Sequence, residues 1–210
     1  MPVRLNKRPA RNVTAALLTS LSLAVPVAAQ TTASIVTRTN AALDLSKIAI
    51  DNFGRINSNY YRGAQPKGRD YIDLAALGVK TLIDLTSDDS QADEKVMAEH
   101  AGMTYFRIPM TTHQVPSAAK LAEFLKIVND PANQPVYVHC VGGRHRTGVM
   151  TALYRMTQDG WDADRAFGEM KQYKFGADFL HPEFKEYVYS YRADAAATAA
   201  PAAATKAAQR

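Results

Sequence analysis

The segment Val136-Tyr137-Val138-His139-Cys140-Val141-Gly142-Gly143-Arg144-His145-Arg146-Thr147-Gly148 constrains this chain more than any other. A β-prone run ends at His139, a loop carrying two glycines follows, and a helical pattern begins at Thr147. A strand that hands over to a helix through a short glycine loop is a unit of α/β architecture, in which ligands sit at the carboxyl ends of strands. Successive backbone N–H groups in such a loop form an anion-binding concavity, and the positive end of the following helix adds to it. Gly142 and Gly143 let the backbone approach a ligand without a Cβ in the way. Cys140 lies in that positive field, and helix N-termini and nearby cations favour the nucleophilic thiolate form of a cysteine. Arg146, six residues on, offers a planar fork that can bind two phosphoryl oxygens and stabilise charge during transfer. The Thr147 hydroxyl is placed to hydrogen-bond the thiolate, and His139 to orient the loop through backbone contacts. Val141, Gly142, Gly143, Arg144 and His145 would surround the bound anion.

The rest of the body, residues 47–192, alternates in type. Short strands are expected at 53–56, 60–62, 81–85, 104–108 and 136–139. Helices are expected at 69–77, 92–100, 117–129, 147–158 and 162–171, with a last one opened by Pro182. Ser117 is a candidate cap for a helix that puts Leu121, Phe124, Leu125 and Val128 on one face. Trp161, after Gly160, reads as a core anchor. The order predicts an α/β three-layer sandwich with a central, largely parallel sheet flanked by helices.

The two ends read differently. Arg4, Lys7, Arg8 and Arg11 precede an apolar stretch over 13–24, and the small residues Val27 and Ala29 suit a cleavage site. Residues 1–29 therefore read as an export signal, which implies a periplasmic or secreted product. The apolar stretch is too short and too rich in Ser, Thr and Pro to span well, so no stable membrane insertion is expected after its removal. Residues 30–46 read as a linker and 193–210 as an alanine-rich disordered tail. The chain carries a net +5, but the leader supplies four of its basic residues and no acidic ones. What remains is near neutral and has no long basic run, so nucleic acid is not an expected partner. Cys140 is the one cysteine, which excludes an internal disulfide. No His/Asp/Glu cluster has metal-ligand spacing, and neither a metal nor another cofactor is expected.

His139-Cys140-x-x-Gly143-x-x-Arg146-Thr147-Gly148 resembles the signature loop of the cysteine-dependent protein tyrosine phosphatases, in their dual-specificity branch. Tyr61-Arg62-Gly63-Ala64-Gln65-Pro66 resembles that family's entry motif, and Gly78-Val79-Lys80-Thr81-Leu82-Ile83-Asp84-Leu85 its first core strand. The likeness covers most of residues 53–190. It is similar to the exported bacterial type, and Arg144-His145 also resembles the Lys-His variant of plant and fungal atypical members, which act on inositol pyrophosphates as well as phosphopeptides. The resemblance implies attack by Cys140 on phosphorus, a phosphocysteine intermediate and its hydrolysis, without metal.

One expected part is missing. In this family the general acid is usually an aspartate on the loop before the Ser117 helix, yet that loop reads Ile108-Pro109-Met110-Thr111-Thr112-His113-Gln114-Val115-Pro116-Ser117. His113 could donate the proton, Asp88 or Asp89 could reach over the site, or there is no dedicated acid. Three functions follow. The first is a phosphatase for protein phosphotyrosine, extending to phosphoserine and phosphothreonine. The second is an inositol polyphosphate or pyrophosphate phosphatase, with Arg144, His145, Lys171 and Lys174 as extra cations. The third is a phosphate-binding module without turnover. The partner is in each case a phosphorylated protein or a small phosphorylated molecule.

Overall fold

Strand β5 (Val136–Cys140) is the centre of the structure, buried along its whole length. A strand covered on both faces carries an unbroken apolar run instead of an alternating one, which is what Val136-Tyr137-Val138 provides. The computed structural model describes residues 45–87 and 91–193, all within the unit Leu43–Arg210. The export signal and most of the linker, Asp88 and Asp89, and the tail after Ala193 lie outside the described residues.

The other strands are β1 (Gly54–Asn57), β2 (Tyr60–Ala64), β3 (Thr81–Thr86) and β4 (Thr104–Met110). They assemble in the order β1-β2-β5-β3-β4. Among the described residues only β1 and β2 pair antiparallel; the β2–β5, β5–β3 and β3–β4 pairs are parallel. Among the described residues the helices are α1 (Asp70–Ala76), α2 (Glu94–His100), α3 (Ala118–Asn129), α4 (Arg146–Gln158), α5 (Ala163–Gln172) and α6 (Pro182–Ser190).

Alternate side chains of each strand feed opposite layers. Tyr60, Ile83, Leu85, Val136, Val138 and Cys140 pack with residues of α3, α4, α5 and α6. Tyr61, Leu82 and Tyr137 pack with Tyr71 and Leu74 of α1 and Ala98 of α2. Each fully buried aliphatic or aromatic side chain contributes roughly 1.5–3 kcal/mol, so the sheet is held from both sides. The architecture is the three-layer α/β sandwich that the sequence pattern predicts.

Local chemistry sets the helix starts. Ser117 Oγ accepts from Lys120 N (3.3 Å) and Asp162 Oδ1 from Arg165 N (2.8 Å), and Pro182 opens α6. The buried stripe of α3 is Leu121, Phe124, Ile127 and Val128. Leu125, read from sequence as part of it, packs only partly against the core. Trp161 is not a core anchor. Its ring is sandwiched between the guanidinium groups of Arg155 (4.2 Å) and Arg165 (3.8 Å), a cation–π arrangement that suits a half-buried position.

Candidate active site

Cys140 is the last residue of β5, paired across the ladder with Ala64 of β2. It is 3% exposed and opens onto a cavity of about 380 Å³ lined by Thr112 and by the loop that joins β5 to α4. The carbonyls of that loop are tied on its outer side. Gln65 N donates to Val141 O (3.2 Å), Asn52 Nδ2 to Gly143 O (2.9 Å), and Arg62 Nη2 to Gly143 O (2.6 Å). Asn52 Nδ2 also reaches Gly142 O at 3.4 Å. In a trans peptide the N–H of the next residue points opposite to the carbonyl. Drawing these oxygens outward therefore turns the N–H groups of Gly142, Gly143 and Arg144 toward the cavity, which is an anion-binding arrangement.

Gly143 is required twice over. Its φ is +63°, and a Cβ there would stand 2.3 Å from the carbonyl carbon and oxygen of Gly63. Arg62 is fully buried beneath the loop, with its guanidinium 4.1 Å above the Tyr173 ring. Burial pushes its pKa below the usual arginine value, against the pull of Tyr60, Tyr173, Glu169 and Cys140.

Arg146 begins α4 and is 2% exposed. Its Nη1 donates to Met110 O (3.2 Å) at the end of β4, which joins the phosphate loop to the flap over residues 111–116. Thr147 Oγ1 is buried and makes no hydrogen bond among the described residues, so the bond to Cys140 expected from sequence is not formed here. His139 is held by side chains and not through backbone contacts. Its Nε2 lies 3.2 Å from Glu94 Oε1, both residues fully buried, and its ring stacks on Tyr137 at 5.8 Å. Glu94 also accepts from Gln65 Nε2 (3.3 Å) and Tyr71 Oη (3.4 Å), so one carboxylate links α2, β5 and the segment after β2. His145 Nε2 lies 3.0 Å from Phe175 O, which fixes it as the donor, and its ring packs 3.8 Å from that of His181. Burial, then His181, push its pKa down to about 4. His145 is therefore neutral at pH 7 and adds no cation to the site.

A family model described as DSP-PTPase phosphatase fused to NAD+ kinase matches residues 46–185. The chain belongs to the DSP-PTPase family. Among its relatives is dual specificity protein phosphatase TpbA of Pseudomonas aeruginosa, 31% identical over 166 residues that span 79% of this chain and 73% of TpbA. A crystal structure of a cysteine-to-serine variant of that TpbA, in complex with pTyr, superposes with a TM-score of 0.60 at 27% identity. The match covers 70% of this chain and 89% of that one. Inositol diphosphatase SIW14 of Saccharomyces cerevisiae is 25% identical over 151 residues, spanning 70% of this chain and 53% of SIW14. This DSP-PTPase is a phosphatase, a hydrolase acting on phosphorylated substrates.

The fold of this DSP-PTPase gathers Cys140, Val141, Gly142, Arg144, His145 and Arg146 around one cavity. The cations read as additional phosphate ligands are otherwise engaged. Arg144 Nη2 lies 3.8 Å from Asp51, and Lys174 Nζ 2.6 Å from the same carboxylate, which Lys174 holds below the usual range. Lys171 and Lys185 share Asp178 at 2.6 and 2.8 Å. The flap residue on the cavity wall is Thr112, not His113. The His113 side chain is 72% exposed, with Nδ1 3.5 Å from Glu183 Oε1 and its ring stacked on His181. Sequence spacing suggests no metal-ligand cluster, yet the fold converges His113, His181 and Glu183, residues from two distant segments. Asp84, Glu94 and His139 converge too, but Asp84 accepts from Thr86 (2.6 Å) and Tyr105 (2.8 Å), and Glu94 is bound as above. Asn52 and Glu94 have no periodicity or motif that marks them. The one hint at Asn52 is its residue type, since asparagine tolerates the φ of +56° it adopts.

Proposed function

We propose that this DSP-PTPase hydrolyses aryl phosphomonoesters, protein phosphotyrosine foremost, through a phosphocysteine on Cys140, outside the cytoplasm after removal of residues 1–29. One observation carries the substrate class: the cavity wall offers an anion-binding loop and Arg146, and no carboxylate among the described residues that line it. The Cys140 thiolate attacks phosphorus in line while the loop N–H groups and the Arg146 fork hold the three non-bridging oxygens. The bond to the leaving oxygen breaks on the Thr112 side. A tyrosine phenolate, with a conjugate-acid pKa of about 10, departs without the strong protonation that a serine or threonine alkoxide needs. Water then attacks the phosphocysteine, releasing phosphate and the thiolate. His113 stands one residue outside the wall, and this scheme gives it no proton to donate.

Val141, 45% exposed at the rim, offers apolar contact to an aromatic ring. The neutral His145 and the paired lysines give little support for a densely charged inositol substrate, although the phosphate expelled when a phosphoanhydride is cleaved is also a good leaving group. The relative bound to pTyr points the same way. The test compares the protein with Cys140→Ser on a phosphotyrosine peptide, a phosphoserine peptide and a diphosphoinositol phosphate. Turnover at least tenfold faster on phosphotyrosine is expected. Equal rates on the serine peptide would refute the leaving-group argument, and preference for the inositol compound would transfer the site to that class. Release no faster than in Cys140→Ser would leave a binding module. For location, mass spectrometry of protein from the periplasmic fraction is expected to find a chain beginning at Gln30. Full-length protein retained in the cytoplasm would refute export.

A further inference from the structure

We propose that His113, His181 and Glu183 bind a divalent transition-metal ion, Zn²⁺ fitting best, at the mouth of the phosphate cavity. His113 comes from the flap between β4 and α3, and His181 and Glu183 from the start of α6. The Nδ1 atoms of both histidines lie 3.5 Å from a single oxygen, Glu183 Oε1. The two rings stack with centroids 5.2 Å apart and planes 26° apart. All three ligand atoms fall within 4.8 Å of one another. A tetrahedral ion with bonds of about 2.0–2.1 Å holds its ligand atoms about 3.3 Å apart. Two of the separations are close to that, and rotation of the exposed His113 ring can close the third.

The second observation concerns satisfaction. His181 is 9% exposed, and its Nδ1 and Glu183 Oε1 are both shielded from solvent with no hydrogen bond. Buried polar atoms nearly always have a partner, and a cation between them would supply one to each. Two imidazoles and a carboxylate are the ligand set of zinc and its transition-metal neighbours, whereas magnesium and calcium take oxygen. Pro182 lies between two of the ligands and restrains the backbone that presents them. Three protein ligands leave a fourth position open.

The location gives the site a consequence. Thr112, on the cavity wall, precedes His113, and His181 packs on His145 of the phosphate loop. A bound ion would therefore pin the flap to α6 beside the entrance to Cys140. The site is independent of the phosphotyrosine reading and stands or falls separately.

The experiment uses the untagged full chain carrying Cys140→Ser, so that the thiol cannot supply the ligand, stripped with a chelator. Titration with Co²⁺ is followed by visible absorption, and Zn²⁺ is then added in competition. One equivalent of Co²⁺ should give an intense tetrahedral band that Zn²⁺ removes. His113→Ala, at an exposed position, and Glu183→Gln should each weaken binding by at least about 100-fold, since even outer-shell partners are worth 10–100-fold. Far-UV circular dichroism should stay unchanged. Absence of stoichiometric binding by the parent chain, or binding that both substitutions leave unaltered, would overturn the proposal.

Discussion

Replacing Asn52 with alanine tests how the phosphate loop is held. The Asn52 amide donates to Gly143 O and to Tyr173 O, each at 2.9 Å, and so ties the loop to the end of α5. Each bond is worth about 1 kcal/mol net. Alanine must also adopt the φ of +56°, which costs a residue with a Cβ about 1 kcal/mol or somewhat more. The sum is about 3 kcal/mol, a large part of the 5–15 kcal/mol typical of a domain. Gly143 O keeps its bond to Arg62, so the loop should loosen and not collapse. If about half of the loss is preorganisation, inhibition by phosphate or vanadate weakens about tenfold, at 1.4 kcal/mol per decade. Urea unfolding followed by circular dichroism measures the first quantity, and vanadate inhibition of phosphotyrosine hydrolysis the second. Asn52→Gly removes the same bonds but relieves the backbone, and should fall between alanine and wild type in stability. An alanine variant with the wild-type urea midpoint and unchanged vanadate inhibition would refute the reasoning.

Other consequences are as direct. Gly143→Ala should cost more than about 3 kcal/mol and abolish turnover, because clash and backbone strain combine. Gly142→Ala, whose Cβ would meet only the flexible Arg144 side chain at 3.5 Å, should stay within about 1 kcal/mol of wild type; equal urea midpoints for the pair would contradict the packing. His145 has a folded-state pKa depressed from 6.5 to about 4. The unfolded chain therefore binds the proton first, and the stability held above pH 6.5 is lost as pH falls toward 4. His145→Asn should show a shallower decline over that window in unfolding titrations; parallel curves would remove His145 as its cause. Trp161→Ala should lower stability by only about 1–2 kcal/mol, as a half-buried cation–π arrangement and not a core residue would. A core-sized loss of 3–5 kcal/mol would be the contrary result.

Much of the fold was legible in the sequence because it is written in local chemistry. The caps at Ser117 and Asp162, Pro182 ahead of α6 and the unbroken apolar run of β5 are decided within a few residues of themselves. The departures occur where a distant partner intervenes. Trp161 looks like core until two arginines from different helices enclose it. Leu125 fits the stripe of α3, yet in the fold Ile127 is buried and Leu125 only partly so.

The site divides in the same way. The run from His139 to Gly148 by itself determined a strand, an anion-binding turn, a thiol and a guanidinium in register, because spacing along one strand–loop–helix unit is spacing in space. Tertiary structure alone decided what holds and surrounds that unit: Asn52 and Arg62 on its carbonyls, Glu94 on His139, and Phe175 and His181 against His145. It decided that His145 is neutral, since burial and a neighbouring ring have no counterpart in composition. It placed Thr112 on the cavity wall and drew His113 to Glu183, because the flap's conformation depends on α6, nearly seventy residues away along the chain.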